Sequence, residues 1–464
     1  MVEVPELKLY VHRDADWVLE KRGGDWVFLT GIAYHLEATL DLSGLAQRLL
    51  ETEDPLDEMD LWSGWFSVVQ CRHGKVHVSN DAAAGHKVYY RSLTGSGKWC
   101  GSDAKLSAHW EPIHVHLDDN LRGLHASKWL VNRGTMVGDM TPFHGVRQMV
   151  ANHRLNWSSF RSERIFPRRP RQPMTSKAAL DYVIPRMEHV VAQAVKHRRV
   201  NMAITAGWDS RITLALSRKV KAQVRYYTFQ HQGVDLNFPD LALPTAMSQE
   251  GFEHRIHMDL VKEEHPDWWM ARDSYSLAKY KRFHSFFCVF PEYQSDQLTI
   301  VGTVSEVAKN YLEHIPIRTG LHAVRAAHLV EHPSILAHFD GWMRDSAPLV
   351  KSNGYRVLDL LHWEQDITNF AGGGAHQINF VVHQFAPFSS GRILETLLAT
   401  PTHERDKYIP KMYAHLIRSA WPELMNYPVN PFLKEDVIRL MKRTGLYNPY
   451  KFLGNRFVSR PFKG

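Results

Sequence analysis

The chain has 464 residues, of which 44% are apolar and 23% charged, a composition typical of globular proteins that excludes a disordered or fibrous chain. This length allows two or three domains, whose cores would need no disulfide or metal to fold. Its 56 basic and 49 acidic residues give a net charge of +7, which permits an anionic partner such as a nucleotide or nucleic acid but does not require one.

The N-terminal part of the chain has the pattern of an antiparallel β domain. Short runs rich in β-branched and aromatic residues alternate with Gly, Asp and Asn, as in strands joined by tight turns. One helix is predicted over Leu42–Thr52, where apolar residues recur at helical spacing. The predicted strands are Trp26–Thr30, Trp65–Val69, Lys75–Ser79 and Lys87–Tyr90.

Residues 158–175 mark a change in composition, with five arginines and three prolines. Proline stops helices and the charges favour solvent, so this stretch is interpreted as a solvated linker, although a nucleic-acid contact remains an alternative. A boundary here divides the chain into predicted domains at residues 1–165 and 166–464.

The second domain is predicted to be α/β. A strand, a helix and a second strand follow one another within about 30 residues, the βαβ pattern of a parallel sheet. After residue 320 the chain is predicted to be helical, with Gly372–Gly374 as a flexible turn between two helices. The predicted elements are helices over Ser176–Lys196, Asp209–Val220, Ala242–Glu250, 322–331, 356–370, 391–399 and 408–420, and strands over Val200–Thr205, Val224–Phe229 and Leu298–Gly302.

The sequence shows no signal-peptide pattern and no apolar run of the roughly 18 residues that a membrane helix needs. A cytoplasmic protein without a membrane partner is therefore expected.

The segment Ile204–Arg211 is the strongest indication of chemistry. Its small residues Thr205, Ala206 and Gly207 would let backbone N–H groups approach an anion, at the positive N-terminus of the following helix. Asp209, between Trp208 and Ser210, suits a Mg²⁺ ion bound to polyphosphate. The alternative interpretation is an ordinary strand–turn–helix in which Asp209 and Ser210 only cap the helix.

This segment, Thr-Ala-Gly-Trp-Asp-Ser, resembles the pyrophosphate-binding loop of the ATP pyrophosphatases, Ser-Gly-Gly-x-Asp-Ser. The order of features along nearly the whole chain is similar to that of the asparagine synthetase family. The segments that carry this resemblance are Gly64–Val69, Asp81–Tyr90, Cys100–Leu106, Thr141–Val150, Asp240 with Ala242 and Ala246, and Gln384–Ser389.

The resemblance implies an N-terminal glutaminase-like (Ntn-type) domain and a C-terminal adenine-nucleotide α-hydrolase-like ATP-pyrophosphatase domain with a helical C-terminal part. Family glutaminases use an N-terminal cysteine, whereas this sequence has Val2, so the domain is expected to be inactive, as in β-lactam synthetases and lasso-peptide cyclases. The family's Asp-Glu loop corresponds to Gly302–Glu306, with Ser305 where Asp is usual. Glu306 is then the second expected Mg²⁺ ligand, and Lys309 would neutralise phosphate charge.

Other site residues are expected from their place beside the loop or, for Lys411, from the same resemblance. Thr228 and Phe229 end the neighbouring strand and should contact adenine, and Gly302 and Arg211 should lie beside the nucleotide. Lys411 is the candidate lysine for the leaving phosphate, and Glu364 could face the acceptor.

The expected function is an ATP-dependent ligase that forms an acyl-adenylate from a substrate carboxylate, releases pyrophosphate and transfers the acyl group to an amine. Its expected cofactors are ATP and Mg²⁺, and its partners are carboxylates and amines carried by small molecules, peptides or nucleic acid. Two alternatives remain: a nucleic-acid- or peptide-modifying ligase of the same fold, and a degenerate, non-catalytic nucleotide-binding paralogue.

Overall fold

The computed structural model describes residues 1–5, 7–114, 136–230, 233–258, 285–286, 289–290, 294–312 and 317–447. The strands within these ranges are β1 (Val2–Val4), β2 (Leu7–Leu9), β3 (Trp17–Arg22), β4 (Asp25–His35), β5 (Trp62–Arg72), β6 (Lys75–Asn80), β7 (Tyr89–Ser92), β8 (Lys98–Gly101), β9 (Arg147–Gln148), β10 (His153–Asn156), β11 (Arg161–Arg164), β12 (Arg199–Ala203), β13 (Val224–Phe229), β14 (His254–His257), β15 (Gln297–Ile300) and β16 (His383–Phe385).

The α-helices within the same ranges are α1 (Leu42–Glu51), α2 (Pro55–Asp60), α3 (Ser176–His197), α4 (Trp208–Leu216), α5 (Pro239–Met247), α6 (Gly320–Ala326), α7 (Pro333–Asp345), α8 (Ala347–Ser352), α9 (Val357–Leu361), α10 (Thr368–Ile378), α11 (Gly391–Leu398), α12 (Lys411–Ala420) and α13 (Leu433–Arg443). Among the shorter helices are a 3₁₀ helix over Thr303–Ala308 and a π-helical turn over His362–Ile367.

The N-terminal part is an antiparallel β sandwich. Its six-stranded sheet has the order β11-β10-β6-β5-β4-β3, and a three-stranded sheet has the order β8-β7-β9. Alternation along β4 divides its side chains between two cores: Val27 and Leu29 pack with α1, whereas Trp26 and Phe28 pack with the three-stranded sheet. The structure thus confirms the predicted antiparallel, β-rich region.

The C-terminal part contains a five-stranded sheet in which every neighbouring pair is parallel, in the order β14-β13-β12-β15-β16. β12 is central, and Met202 lies opposite Tyr226 of β13 and Ile300 of β15. The carboxyl ends of these strands meet at one edge, where ligands bind in open α/β sheets. The predicted α/β fold with a helical C-terminal part is confirmed, and no described helix is long and apolar enough to cross a membrane.

Two local predictions are wrong. Gly372–Gly374 lies inside α10 and forms no turn. A Cβ at Gly372 would lie 2.5 Å from the backbone oxygen of Ala84, so glycine here allows a helix to pack closely on an N-terminal loop. The stretch 158–175 is not a purely solvated linker: it contains β11, and Arg171 bonds to the carbonyl oxygens of residues 398–400.

The two parts of the chain are packed against each other. The largest hydrophobic cluster joins residues such as Ile32 and Trp65 to Met202 and Leu298 of the parallel sheet. Buried polar contacts cross the same interface, including the bond from the Lys87 ammonium to a carbonyl of α10 at 2.6 Å. The domain boundary at residue 165 stays a prediction, since the core is shared.

Candidate nucleotide site

The loop between β12 and α4 forms the first part of the site. β12 ends at Ala203, and Gly207 is the N-cap of α4 with no side-chain hydrogen bond to the helix. The N–H groups of the first turn therefore lack a side-chain acceptor, which is the arrangement that favours a bound anion. The interpretation of Asp209 and Ser210 as helix caps is wrong, because Gly207 occupies the N-cap position.

Two hydroxyl groups set the conformation of this loop. The Thr205 and Ser210 hydroxyl oxygens lie 3.0 Å apart, and the backbone N–H of Thr205 donates to Ser210 Oγ at 3.1 Å. The N–H of Gly207 points to Thr205 Oγ1 at 3.3 Å. These bonds hold Thr205 and Ser210, two residues predicted for the site, at the helix N-terminus.

Asp240 is a site residue whose role the sequence did not reveal. It lies at the start of α5, and its Oδ1 accepts the backbone N–H of Ala206 at 3.0 Å. Burial raises the pKa of this carboxyl, and the Ala206 N–H opposes the shift. The Ala206 amide is therefore already paired, and an anion at this loop must bind mainly to the N-terminus of α4. The sequence pointed to Asp240 only through the family resemblance, which gave this residue no role.

A cavity of about 160 Å³ lies beside the loop, between the carboxyl ends of β12 and β13. Its lining residues include Ile204, Tyr227, Thr228, Phe229 and Leu241. Drug-sized ligands occupy pockets of roughly 300–1,000 Å³, so this cavity suits a fragment such as a purine ring. The structure thus brings Thr228 and Phe229 beside Thr205, as the predicted adenine contact requires. A wider cavity of about 590 Å³, near Lys221 and Arg225, lies at the amino end of β13, away from this edge.

The Asp209 carboxylate forms the centre of a polar cluster. Its Oδ1 accepts the Ser305 hydroxyl at 2.5 Å, and its Oδ2 lies 2.5 Å from the ammonium of Lys309. The same ammonium is 3.9 Å from Glu306 Oε1. Ser305 and Glu306 are carried by the 3₁₀ helix after β15, so the carboxyl ends of two adjacent strands build this cluster.

Burial and neighbouring charges both shift the pKa values of Lys309 and Glu306. Burial alone would lower the pKa of Lys309, but Asp209 and Glu306 raise it above its usual value, so the ammonium stays charged. Burial raises the pKa of Glu306, with Lys309 opposing and Asp209 reinforcing the shift. A buried lysine between two carboxylates is a charge-compensated cluster that depends on both partners.

The oxygen atoms of this cluster fit Mg²⁺. Asp209 and Glu306 are hard oxygen donors, and Mg²⁺ commonly takes one or two protein carboxylates, completing its shell with water and phosphate oxygens. No group of three or more His, Cys, Asp or Glu residues suited to a metal exists within the described ranges. Asp209 and Glu306 would therefore supply two of the ligands of Mg²⁺, water and phosphate oxygens would supply the rest, and Lys309 would have to move.

Two further residues, Gly302 and Tyr413, support the cluster through packing and a hydrogen bond. A Cβ on Gly302 would lie 2.3 Å from the backbone oxygen of Asp209, so glycine lets β15 end directly against α4. Gly302 therefore supports the cluster through close backbone packing. The Tyr413 hydroxyl, from α12, donates to the backbone oxygen of Ser305, and burial raises the pKa of this phenol well above its usual value. Nothing in the sequence distinguished Tyr413 from a core residue.

Arg211 lies next to the loop but faces the protein interior. It is fully buried, and its guanidinium donates to the carbonyl oxygens of Leu424, Tyr427 and Pro428. Burial lowers the pKa of Arg211 to about 10. The side chain thus ties the loop to the chain after α12. Trp208, also predicted for the site, has a buried indole N–H without a partner in the described part of the chain.

Glu364 and Lys411 are not brought into the Asp209 cluster. Glu364 is fully buried; both of its oxygens accept bonds from Arg164, and it also accepts from Trp342 and Asn152. Burial would raise the pKa of Glu364, but Arg164 holds it below its usual value. Lys411 begins α12, is exposed and lines a separate groove with Asp406. The lysine at the cluster is instead Lys309.

Comparison with known proteins adds no assignment to this geometry. No protein-family model matches the chain, and no curated protein matches it.

Proposed function

We propose that this chain is an ATP-dependent, amide-bond-forming ligase of the asparagine synthetase type that lacks glutaminase activity. It would activate a substrate carboxylate as an acyl-adenylate, release pyrophosphate and transfer the acyl group to an amine. The resemblance in sequence and the two-part architecture, an antiparallel β region followed by a parallel α/β sheet, are consistent with this family.

One observation carries the proposal. The uncapped N-terminus of α4, the cavity between Thr205 and Phe229 and the Asp209 cluster are adjacent at the carboxyl edge of one parallel sheet. A nucleoside triphosphate needs three elements: an apolar cavity for its base, a positive helix terminus for its phosphates, and carboxylates for its divalent cation.

The residues have separate tasks in this proposal. The cavity near Thr228 and Phe229 holds the adenine, and the N-terminus of α4 stabilises the charge that develops on the departing pyrophosphate. Mg²⁺, held by Asp209 and Glu306, would neutralise that charge further. Lys309, released from Asp209, supplies a positive charge to the phosphates. The substrate carboxylate then bonds to the α-phosphorus, pyrophosphate leaves, and an amine later displaces AMP.

A second candidate is a nucleotide-binding protein without catalysis. The ion pair of Asp209 with Lys309 favours it, because an ammonium at 2.5 Å already compensates the carboxylate that should bind the cation. Ser305, in place of an aspartate, also reduces the number of carboxylates. An acceptor carried by nucleic acid or peptide stays an alternative, although several arginines of the 158–175 stretch already have protein partners, such as Arg168 with Asp57 at 2.6 Å.

Product analysis separates these candidates. Purified protein is incubated with MgATP and panels of amino acids, dicarboxylates and peptides, and ³¹P NMR follows the phosphorus products. We expect AMP and pyrophosphate in equal amounts with at least one carboxylate, and none from Asp209→Asn. Tight MgATP binding without turnover across the panels supports the non-catalytic candidate. Formation of ADP and phosphate would refute adenylation.

A further inference from the structure

His362 is a buried histidine with one ring nitrogen that lacks a partner. It begins the π-helical turn after α9 and is 3% exposed. Nδ1 lies 3.2 Å from Oδ2 of Asp366, whereas Nε2 is buried and has no hydrogen-bond partner in the part of the chain that the structure describes. Buried polar atoms nearly always have partners, so Nε2 is free to form a hydrogen bond with a bound group or a water molecule. π-Helical turns are also frequent at functional sites.

The π-helical turn that His362 begins packs against the 3₁₀ helix that carries Ser305 and Glu306 of the Asp209 cluster. The His362 ring stacks on Tyr311, with centroids 4.5 Å apart and planes inclined by 5°, and the ammonium of Lys407 lies 3.6 Å from the Tyr311 centroid. Burial raises the pKa of Glu306, while Lys309, His362 and Lys407 oppose the shift through their charges. Three basic side chains thus act electrostatically on a single carboxylate.

The balance of charge changes when Mg²⁺ binds. A cation on Asp209 and Glu306 would neutralise most of the negative charge that now compensates the buried ammonium of Lys309. Buried charges are strongly unfavourable without a counter-charge, so an anion must enter with the metal. The β- and γ-phosphates of ATP supply this charge, and their oxygens accept hydrogen bonds.

We propose that His362 binds the terminal phosphates of ATP, and pyrophosphate after cleavage, through a hydrogen bond from Nε2. Asp366 accepts the bond from Nδ1 and thereby orients the ring. This inference rests on the proposed nucleotide site and adds a phosphate-binding residue from the π-helical turn. His362 makes or breaks no covalent bond in this role.

Isothermal titration calorimetry with Mg-pyrophosphate, MgATP and adenosine tests the proposal. His362→Ala removes a hydrogen bond to a charged phosphate. The affinities for Mg-pyrophosphate and MgATP should therefore fall by about tenfold to a hundredfold. Adenosine has no phosphates, so its affinity should not change. His362→Gln keeps an N–H donor and should retain part of the phosphate affinity.

His376→Ala is the matched control. His376 is also carboxylate-paired, with Nε2 3.3 Å from Asp103 Oδ2, but it belongs to α10 and should leave all three affinities unchanged. Unchanged phosphate affinity in folded His362→Ala, or a parallel loss of adenosine affinity, overturns the proposal. If neither variant folds, ¹⁵N-histidine NMR of the wild type decides: Mg-pyrophosphate must shift one buried Nε2 resonance and adenosine must not. Absence of all binding by the wild type would instead refute the nucleotide site itself.

Discussion

Replacement of Asp209 by Asn tests the cluster through stability as well as activity. Asn keeps the size of the side chain, and its Oδ1 can still accept the Ser305 hydroxyl. Its amide group, however, would point a donor at the Lys309 ammonium, which now lies 2.5 Å from Oδ2 of the carboxylate. Capping gives no compensation, because Gly207 is the N-cap of α4.

The expected cost follows from the burial of Lys309, whose side chain is 7% exposed. Removing one partner of a buried ion pair typically costs about 3–5 kcal/mol of the free energy of unfolding. Glu306 remains at 3.9 Å from the ammonium and offsets part of this loss, so we expect about 3 kcal/mol. Because Asp209 and Glu306 raise the pKa of Lys309, this contribution is fully present below the unfolded-state pKa of about 10.4 and is lost as the pH rises through the folded-state value.

Urea unfolding at pH 7, followed by tryptophan fluorescence, measures the effect. Asp209→Asn should lower the free energy of unfolding, and the additional change Lys309→Met should recover much of it by removing the unpaired charge. Pyrophosphate release should fall by on the order of a thousandfold in Asp209→Asn, since several kcal/mol of leaving-group stabilisation are lost. If Asp209→Asn unfolds with the free energy of the wild type, or if the double variant recovers none of the loss, the buried ion pair of Asp209 with Lys309 is contradicted.

Four other outcomes are expected. Glu364→Gln should lower the free energy of unfolding by about 3 kcal/mol in urea at pH 7, because Arg164 loses its buried partner. Since the folded-state pKa of Glu364 is depressed, this difference is full above the unfolded-state value of about 4.3 and is lost as the pH falls through the folded-state value. Gly302→Ala should weaken MgATP affinity in calorimetry by displacing α4, whose backbone oxygen would lie 2.3 Å from the new Cβ. Lys411→Met should leave that affinity unchanged, and a loss would return this lysine to the site. Glutamine should yield no glutamate in a coupled assay, since Val2 stands where the family glutaminases have their nucleophilic cysteine.

The sequence predicted long, locally consistent elements well. The structure confirms β13 at the predicted bounds Val224–Phe229, because a run rich in β-branched and aromatic residues indicates a strand without reference to the rest of the fold. Short or polar strands such as β14 and β16 were missed, since three or four residues carry too little periodicity. Gly372 was misjudged because its close approach to Ala84 overrides the weak helix propensity of glycine.

Only part of the candidate site could likewise be predicted from the sequence. The loop at Thr205–Ser210 was visible because its small residues and helix start are contiguous in the sequence. The pairing of Asp209 with Lys309 joins residues 100 positions apart, and only the adjacency of β12 and β15 brings them together. The sequence offered both Lys309 and Lys411 for the phosphates, and strand order brings Lys309 to Asp209. The orphan nitrogen of His362 is likewise a property of packing that no sequence pattern records.

A crystal structure with Mg²⁺ and a non-hydrolysable ATP analogue tests the central claim most directly. The account predicts the adenine in the cavity between Thr205 and Phe229, phosphates at the N-terminus of α4, and the metal bound by Asp209 and Glu306 with Lys309 turned to a phosphate oxygen. Nucleotide bound elsewhere, or an intact bond between Lys309 and Asp209 at saturating analogue with this cavity empty, would contradict it.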